Sequence, residues 1–114
     1  MAKKIMDENY LERIPVRSPL IGFKADDTGI VTLEKENKGI FNRIAQKLFK
    51  RPKVSYIHLD AQGSFVWLLV DGKKRILDMA DEVRAEFGED AEPLYERLAK
   101  YIQILESYDF VSFK

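Results

Sequence analysis

The side chains best suited to chemistry are few and poorly placed for it. His58 is the chain's only histidine, and there is no cysteine. A lone imidazole without thiolates cannot assemble a conventional zinc site, and a metal there would need carboxylates beside it. Ser64 stands in Gly63-Ser64-Phe65-Val66, which is not the glycine-flanked elbow that raises a nucleophilic serine. Carboxylates are plentiful, yet no spacing pairs two of them with a nucleophile and a base. The six glycines are scattered at turns and build no phosphate-binding loop. The chain is therefore expected to hold a partner without transforming it, as a protein that is not an enzyme and uses no metal or cofactor.

The aromatic residues point the same way. Trp67 lies in a short apolar stretch, where a core position is the ordinary reading of a lone tryptophan. Tyr95, Tyr101 and Tyr108 fall along the last helical segment but not on one face of it. Tyr101 sits near the buried stripe, and Ile104 and Tyr95 sit on its flank. An apolar flank wider than burial requires suits a groove, unless Leu11 and Ile14 of the N-terminal arm cover it.

The elements that must position these residues follow from periodicity. Residues 1–17 read as a mostly polar arm in which Tyr10, Leu11, Ile14 and Val16 can pin extended backbone to the body, and Ile14-Pro15 favours that conformation. Ile21, Phe23 and Ala25 alternate, Asp26-Asp27-Thr28-Gly29 is turn chemistry, and residues 30–34 alternate again, which predicts a hairpin. Residues 39–51 change to helical spacing through Ile40, Phe41, Ile44, Ala45, Leu48 and Phe49, and Pro52 closes them. A third strand spans 53–59.

The rest is helical. Asp60 can cap a helix over 61–70, which Asp71-Gly72 stops. Ile76, Met79, Ala80, Val83 and Phe87 share one face of a second helix ended by Gly88. A third helix is expected over 89–107, with Pro93 in its first turn and a stripe of Leu94, Leu98, Tyr101, Ile102 and Leu105. Residues 109–113 read as a closing short strand. The fold class is α+β: a three-stranded antiparallel sheet with three C-terminal helices plus an inserted basic helix, arranged like a winged helix-turn-helix. So small a sheet has at least one open edge.

Bulk properties bound the rest. With 114 residues, 46% apolar and 33% charged, the chain suits one soluble domain. Lys plus Arg and Asp plus Glu number 19 each, so no net field steers it to nucleic acid or to a membrane. The charges are nevertheless segregated. Residues 38–53 carry six cations and no acid, while 78–96 carry eight acids against Arg84 alone. Solvated helix faces explain both runs; a polarised molecule that orients a charged partner is the sharper alternative. The start lacks a signal-peptide pattern and the longest apolar run, 65–70, cannot span a bilayer, so a cytoplasmic location is expected.

One pattern resembles the PqqD family, named for coenzyme PQQ synthesis protein D. It is carried by Asn9-Tyr10-Leu11-Glu12-Arg13-Ile14-Pro15, then by Leu59-Asp60, Gly63-Ser64, Trp67, Leu69, Asp71-Gly72, Ile76, Met79-Ala80, Leu105 and Phe110. The likeness is good over 53–113 and loose before it. Arg75 stands where the family pattern has a Thr or Ser cap, so the second helix must start a residue or two away or leave its first N–H groups to water. The basic helix 39–51 reads as an insertion. The chain is thus expected to be a single PqqD-like domain over 1–114, with arm 1–17, insertion 39–51 and core 53–113.

The resemblance implies a leader-recognition domain of a ribosomal peptide modification system. Such a scaffold grips the leader of a precursor peptide and presents it to a modifying enzyme, typically a radical S-adenosylmethionine enzyme. The leader would add as a strand beside Val54, Ser55, Tyr56, Ile57 and His58. It would be walled by Leu94, Arg97, Leu98, Tyr101 and Ile104. Such a protein would be a monomer or weak homodimer, because a free edge can pair with its own copy. Two alternatives remain from the residues themselves. A winged-helix DNA-binding protein would need a cationic last helix, yet only Arg97 and Lys100 follow an acidic stretch. A generic protein-interaction adaptor would use the same edge.

Overall fold

The computed structural model describes residues 8–36 and 54–114 of the chain. The segment 39–51, expected to be a basic helix, and the first residues of the arm lie outside these. The architecture is α+β. A single helical turn, α1 (Glu8–Leu11), leads into β1 (Pro15–Arg17), β2 (Ile21–Ala25), β3 (Val31–Glu36) and β4 (Val54–His58). Three helices follow, α2 (Ala61–Leu69), α3 (Ile76–Phe87) and α4 (Leu94–Ser107), before β5 (Val111–Phe113).

Strands β2, β3 and β4 form one antiparallel sheet in that order, with Ile21 opposite Lys35 and Thr32 opposite His58. The hairpin turn is held by one carboxylate. Asp26 Oδ1 accepts from the backbone N–H groups of Thr28 (2.8 Å) and Ile30 (3.0 Å) and from the Thr28 hydroxyl, and Gly29 supplies the positive φ of 88°. Val31 and Leu33 point inward and are fully buried, with Ile57 and Leu59 packed beside them against the helices. Trp67 is also fully buried and meets Phe23 edge-on, with centroids 5.8 Å apart. It is a core residue.

The N-terminal arm does more than lie against the body. Strand β1 pairs with β5 in a separate two-stranded ribbon, Val16 opposite Ser112. Leu11 and Pro15 are buried, and the Arg13 guanidinium lies 3.8 Å from the centre of the Phe113 ring. The arm also answers the capping question at α3. The first N–H of that helix, on Ile76, donates to the Arg13 carbonyl at 3.0 Å. The Asp78 carboxylate reaches back to the Arg75 backbone N–H at 3.0 Å, the acidic half of a capping box. Arg75 has no acceptor with which to complete the box, and instead pairs with Asp78 (2.8 Å) and Glu12 (2.7 Å). The helix does not shift its start, and its first N–H is met by the arm.

The last helix is shorter than its periodicity implied. It begins at Leu94, not Glu89, and residues Gly88–Ala91 form a separate 3₁₀ turn. Pro93 is the reason. The residue before a proline is pushed out of helical geometry, and Glu92 is extended at ψ 145°. Glu92 then caps the new start, its Oε1 accepting from the Leu94 N–H at 3.2 Å. At the far end Asp109 takes a positive φ of 62°, and the Phe110 N–H returns to the Leu105 carbonyl, turning the chain into β5.

Candidate peptide-binding site

Strand β4 is an outer strand of its sheet, with β3 on one side and no strand on the other among the described residues. Its hydrogen-bond phase follows from one contact. The Leu59 N–H donates to the Val31 carbonyl at 2.9 Å, continuing the register in which Ile57 faces Leu33. Antiparallel pairs alternate between bonded and unbonded, so Ile57 bonds inward. The backbone groups of Val54, Tyr56 and His58 therefore aim away from β3. Their side chains share the outer face of the sheet, where Tyr56 is 62% exposed. The His58 Nδ1 lies 2.9 Å from the Thr32 hydroxyl, which makes it a strand-face residue. No group of three metal-ligating side chains occurs among the described residues.

A cleft of about 300 Å³ opens between the start of α2 and the exposed flank of α4. Leu94, Arg97, Leu98, Tyr101 and Ile104 all line it. The strand residues 54–58 do not; they form the adjoining edge, which runs through Leu59 into Asp60 at the mouth of the cleft. Leu94 and Leu98 are almost wholly buried and make its floor, whereas Ile104 is 43% exposed at its rim. No described residue of the arm lines it. Leu11 is buried in the core instead, so the described part of the arm does not cover this flank of the helix.

Three contacts set the shape of this junction. Asp60 caps α2 by accepting from the Gly63 N–H at 2.7 Å. The Tyr101 hydroxyl donates to the Gly63 carbonyl at 3.1 Å, fixing α4 against α2. Burial, and secondarily the nearby Asp60 charge, raises the Tyr101 pKa above the usual tyrosine range, keeping the hydroxyl a donor. The fully buried Ser64 accepts from the Val31 N–H at 2.8 Å, bolting α2 to the sheet. The Gly63-Ser64 pair thus joins α2 to both α4 and the sheet.

Sequence reasoning found the α4 wall but missed the opposite one, Gln62, Gly63 and Val66, and missed Lys100 on the rim. The helical spacing of Arg97, Lys100 and Ile104 could have placed the lysine. Nothing local marks Gly63, because its contact with Tyr101 spans 38 positions.

Among the described residues, the chain is an α+β domain whose outer strand β4 leads through Leu59 and Asp60 into an apolar cleft. A family model described as coenzyme PQQ synthesis protein D (PqqD) matches residues 41–111, most of the chain. The protein belongs to the PqqD family, whose members are accessory binding proteins of PQQ synthesis. The match begins inside the basic segment and ends at the first residue of β5. No curated protein and no solved structure matches the chain. No helix among the described residues is long and apolar enough to cross a membrane.

Proposed function

We propose that this protein is a non-catalytic scaffold that binds the leader of a precursor peptide by strand addition and presents it to a modifying enzyme. The observation that carries the reading is the outward phase of Val54, Tyr56 and His58 next to an apolar cleft. An incoming extended segment can bond to those three residues, while alternate side chains drop toward Leu94, Leu98 and Tyr101. Backbone bonds then supply affinity and the pocket supplies register. In this reading the domain is a single winged-helix-like unit over 1–114, with the β2–β3 hairpin as the wing. The described part of the arm packs on the core and on β5, and the basic segment 39–51 is an insertion that contacts the partner enzyme, a radical S-adenosylmethionine enzyme. The protein acts in the cytoplasm as a monomer or weak homodimer and needs no cofactor.

The test is an amide-resolved titration of the full chain with the leader of a precursor peptide encoded near its gene. Slowed hydrogen exchange at Tyr56 and His58, with shifts along 94–104, is the expected result. Binding that leaves those amides untouched would overturn it. The DNA-binding alternative is disfavoured by the exposed acids Glu89, Asp90, Glu92 and Glu96 around the start of α4, the helix that would have to enter the groove of a duplex.

A further inference from the structure

The cleft carries a charge pattern that narrows its ligand, given that the strand-addition reading holds. Its interior is apolar, built from Val66, Val83, Leu94 and Leu98. Three charged side chains border it, Asp60, Arg97 and Lys100. Asp60 is already committed, because its carboxylate accepts from the Gly63 N–H as the cap of α2. Arg97 spends one edge on the Asp90 carbonyl at 2.9 Å, which anchors its stem and leaves its other N–H groups unused by the described residues. The exposed Lys100 makes no hydrogen bond or ion pair among the described residues. It lies three positions beyond Arg97 and four before Ile104, on the same side of α4. The rim thus offers two cations with donor capacity to spare, while the Asp60 carboxylate opposite is engaged as the cap of α2.

We infer that the peptide bound here carries a bulky apolar residue for the cleft and a carboxylate a residue or two away for Arg97 and Lys100. An apolar peptide without the acid would leave both cations at the mouth of a filled groove, partly stripped of water and unpaired. A peptide with lysine or arginine there would be repelled. A fork such as guanidinium favours a carboxylate in two-point contact, and the neighbouring ammonium adds a second, less directional attraction. Charge at the rim chooses among peptides, while the sheet edge accepts any extended backbone.

The experiment is a selection of random displayed peptides against the full chain, run in parallel against R97E/K100E, with amide mapping of the winners. Both side chains are exposed, so the variant should stay folded while losing the Arg97 bond to the Asp90 carbonyl, and a cooperative thermal unfolding transition checks this. Peptides selected on the parent should pair Asp or Glu with a large apolar residue and lose about fivefold in affinity for each neutralised charge. High salt should weaken them further. Peptides selected on the variant should carry Lys or Arg at that place. Winners that bind along 54–58 without an acidic preference, or with one that charge reversal leaves unchanged, would overturn this inference and leave strand addition standing. Winners that avoid 54–58, or a selection that enriches nothing, would overturn both.

Discussion

The Tyr101 hydroxyl rests 3.1 Å from the Gly63 carbonyl, and a Cβ on Gly63 would come within 2.9 Å of that same hydroxyl. The contact therefore requires both residue types, a phenol on α4 and the absence of a side chain on α2. The same added carbon would also lie 2.9 Å from Oδ1 of the Asp60 cap. Tyr101→Phe removes one hydrogen bond and should cost about 1 kcal/mol. Gly63→Ala gains about 1 kcal/mol of helix propensity but disturbs the cap and the hydroxyl, each of similar worth, so it should lose about 1 kcal/mol net. The double variant should lose less than the sum of the two, because the phenylalanine makes room for the methyl. A urea-denaturation cycle over the four proteins checks this; strict additivity would show that the two residues do not share a contact.

Proline scanning of β4 separates an open edge from a paired one. Tyr56 sends its N–H away from β3, so Tyr56→Pro should keep the fold and abolish peptide binding. Ile57 sends its N–H toward Leu33, so Ile57→Pro should break the ladder and unfold the sheet. Circular dichroism with a peptide-binding assay distinguishes them. Loss of folding in both would place the outward N–H of Tyr56 in an internal bond.

The arm belongs to the core energetically. Leu11 packs among the buried residues and the Arg13 carbonyl holds the start of α3. Leu11→Ala should destabilise the whole domain by about 2 kcal/mol, measured by thermal or urea unfolding. A change confined to local exchange in the arm, with the global midpoint unmoved, would contradict this.

Acid should act through Asp78. Hydrogen bonds from the Arg75 side chain, and then from its backbone N–H, hold this carboxyl down from 3.8 to about 2. A depressed folded-state pKa gives stability that is complete above 3.8 and is lost as pH falls through 2. The gap between the wild type and Asp78→Asn should therefore be constant at neutral pH and narrow over that acid window. Unfolding curves collected across it provide the measurement, and a gap independent of pH would assign the effect to packing.

Local information in the sequence determined most of the elements. Alternation in 21–34 and 54–58, the Asp60 cap, the Asp71-Gly72 stop and the Gly88 end are each written within a few residues, and each element formed where that chemistry placed it. The wall residues on α4 came from the family resemblance, not from local spacing, and they line the cleft. Pro93 was legible too, but its effect on Glu92 competed with a strong apolar period and the break won, moving the helix start to Leu94. Only the tertiary structure decided what distant segments do to each other. It joined β1 to β5 across almost the whole chain, made the Arg13 carbonyl the cap of a helix more than sixty positions away, and set Gly63 beneath Tyr101. Backbone carbonyls and the space left by a missing side chain have no residue-type signature. Their role exists only once the chain has brought a partner to them.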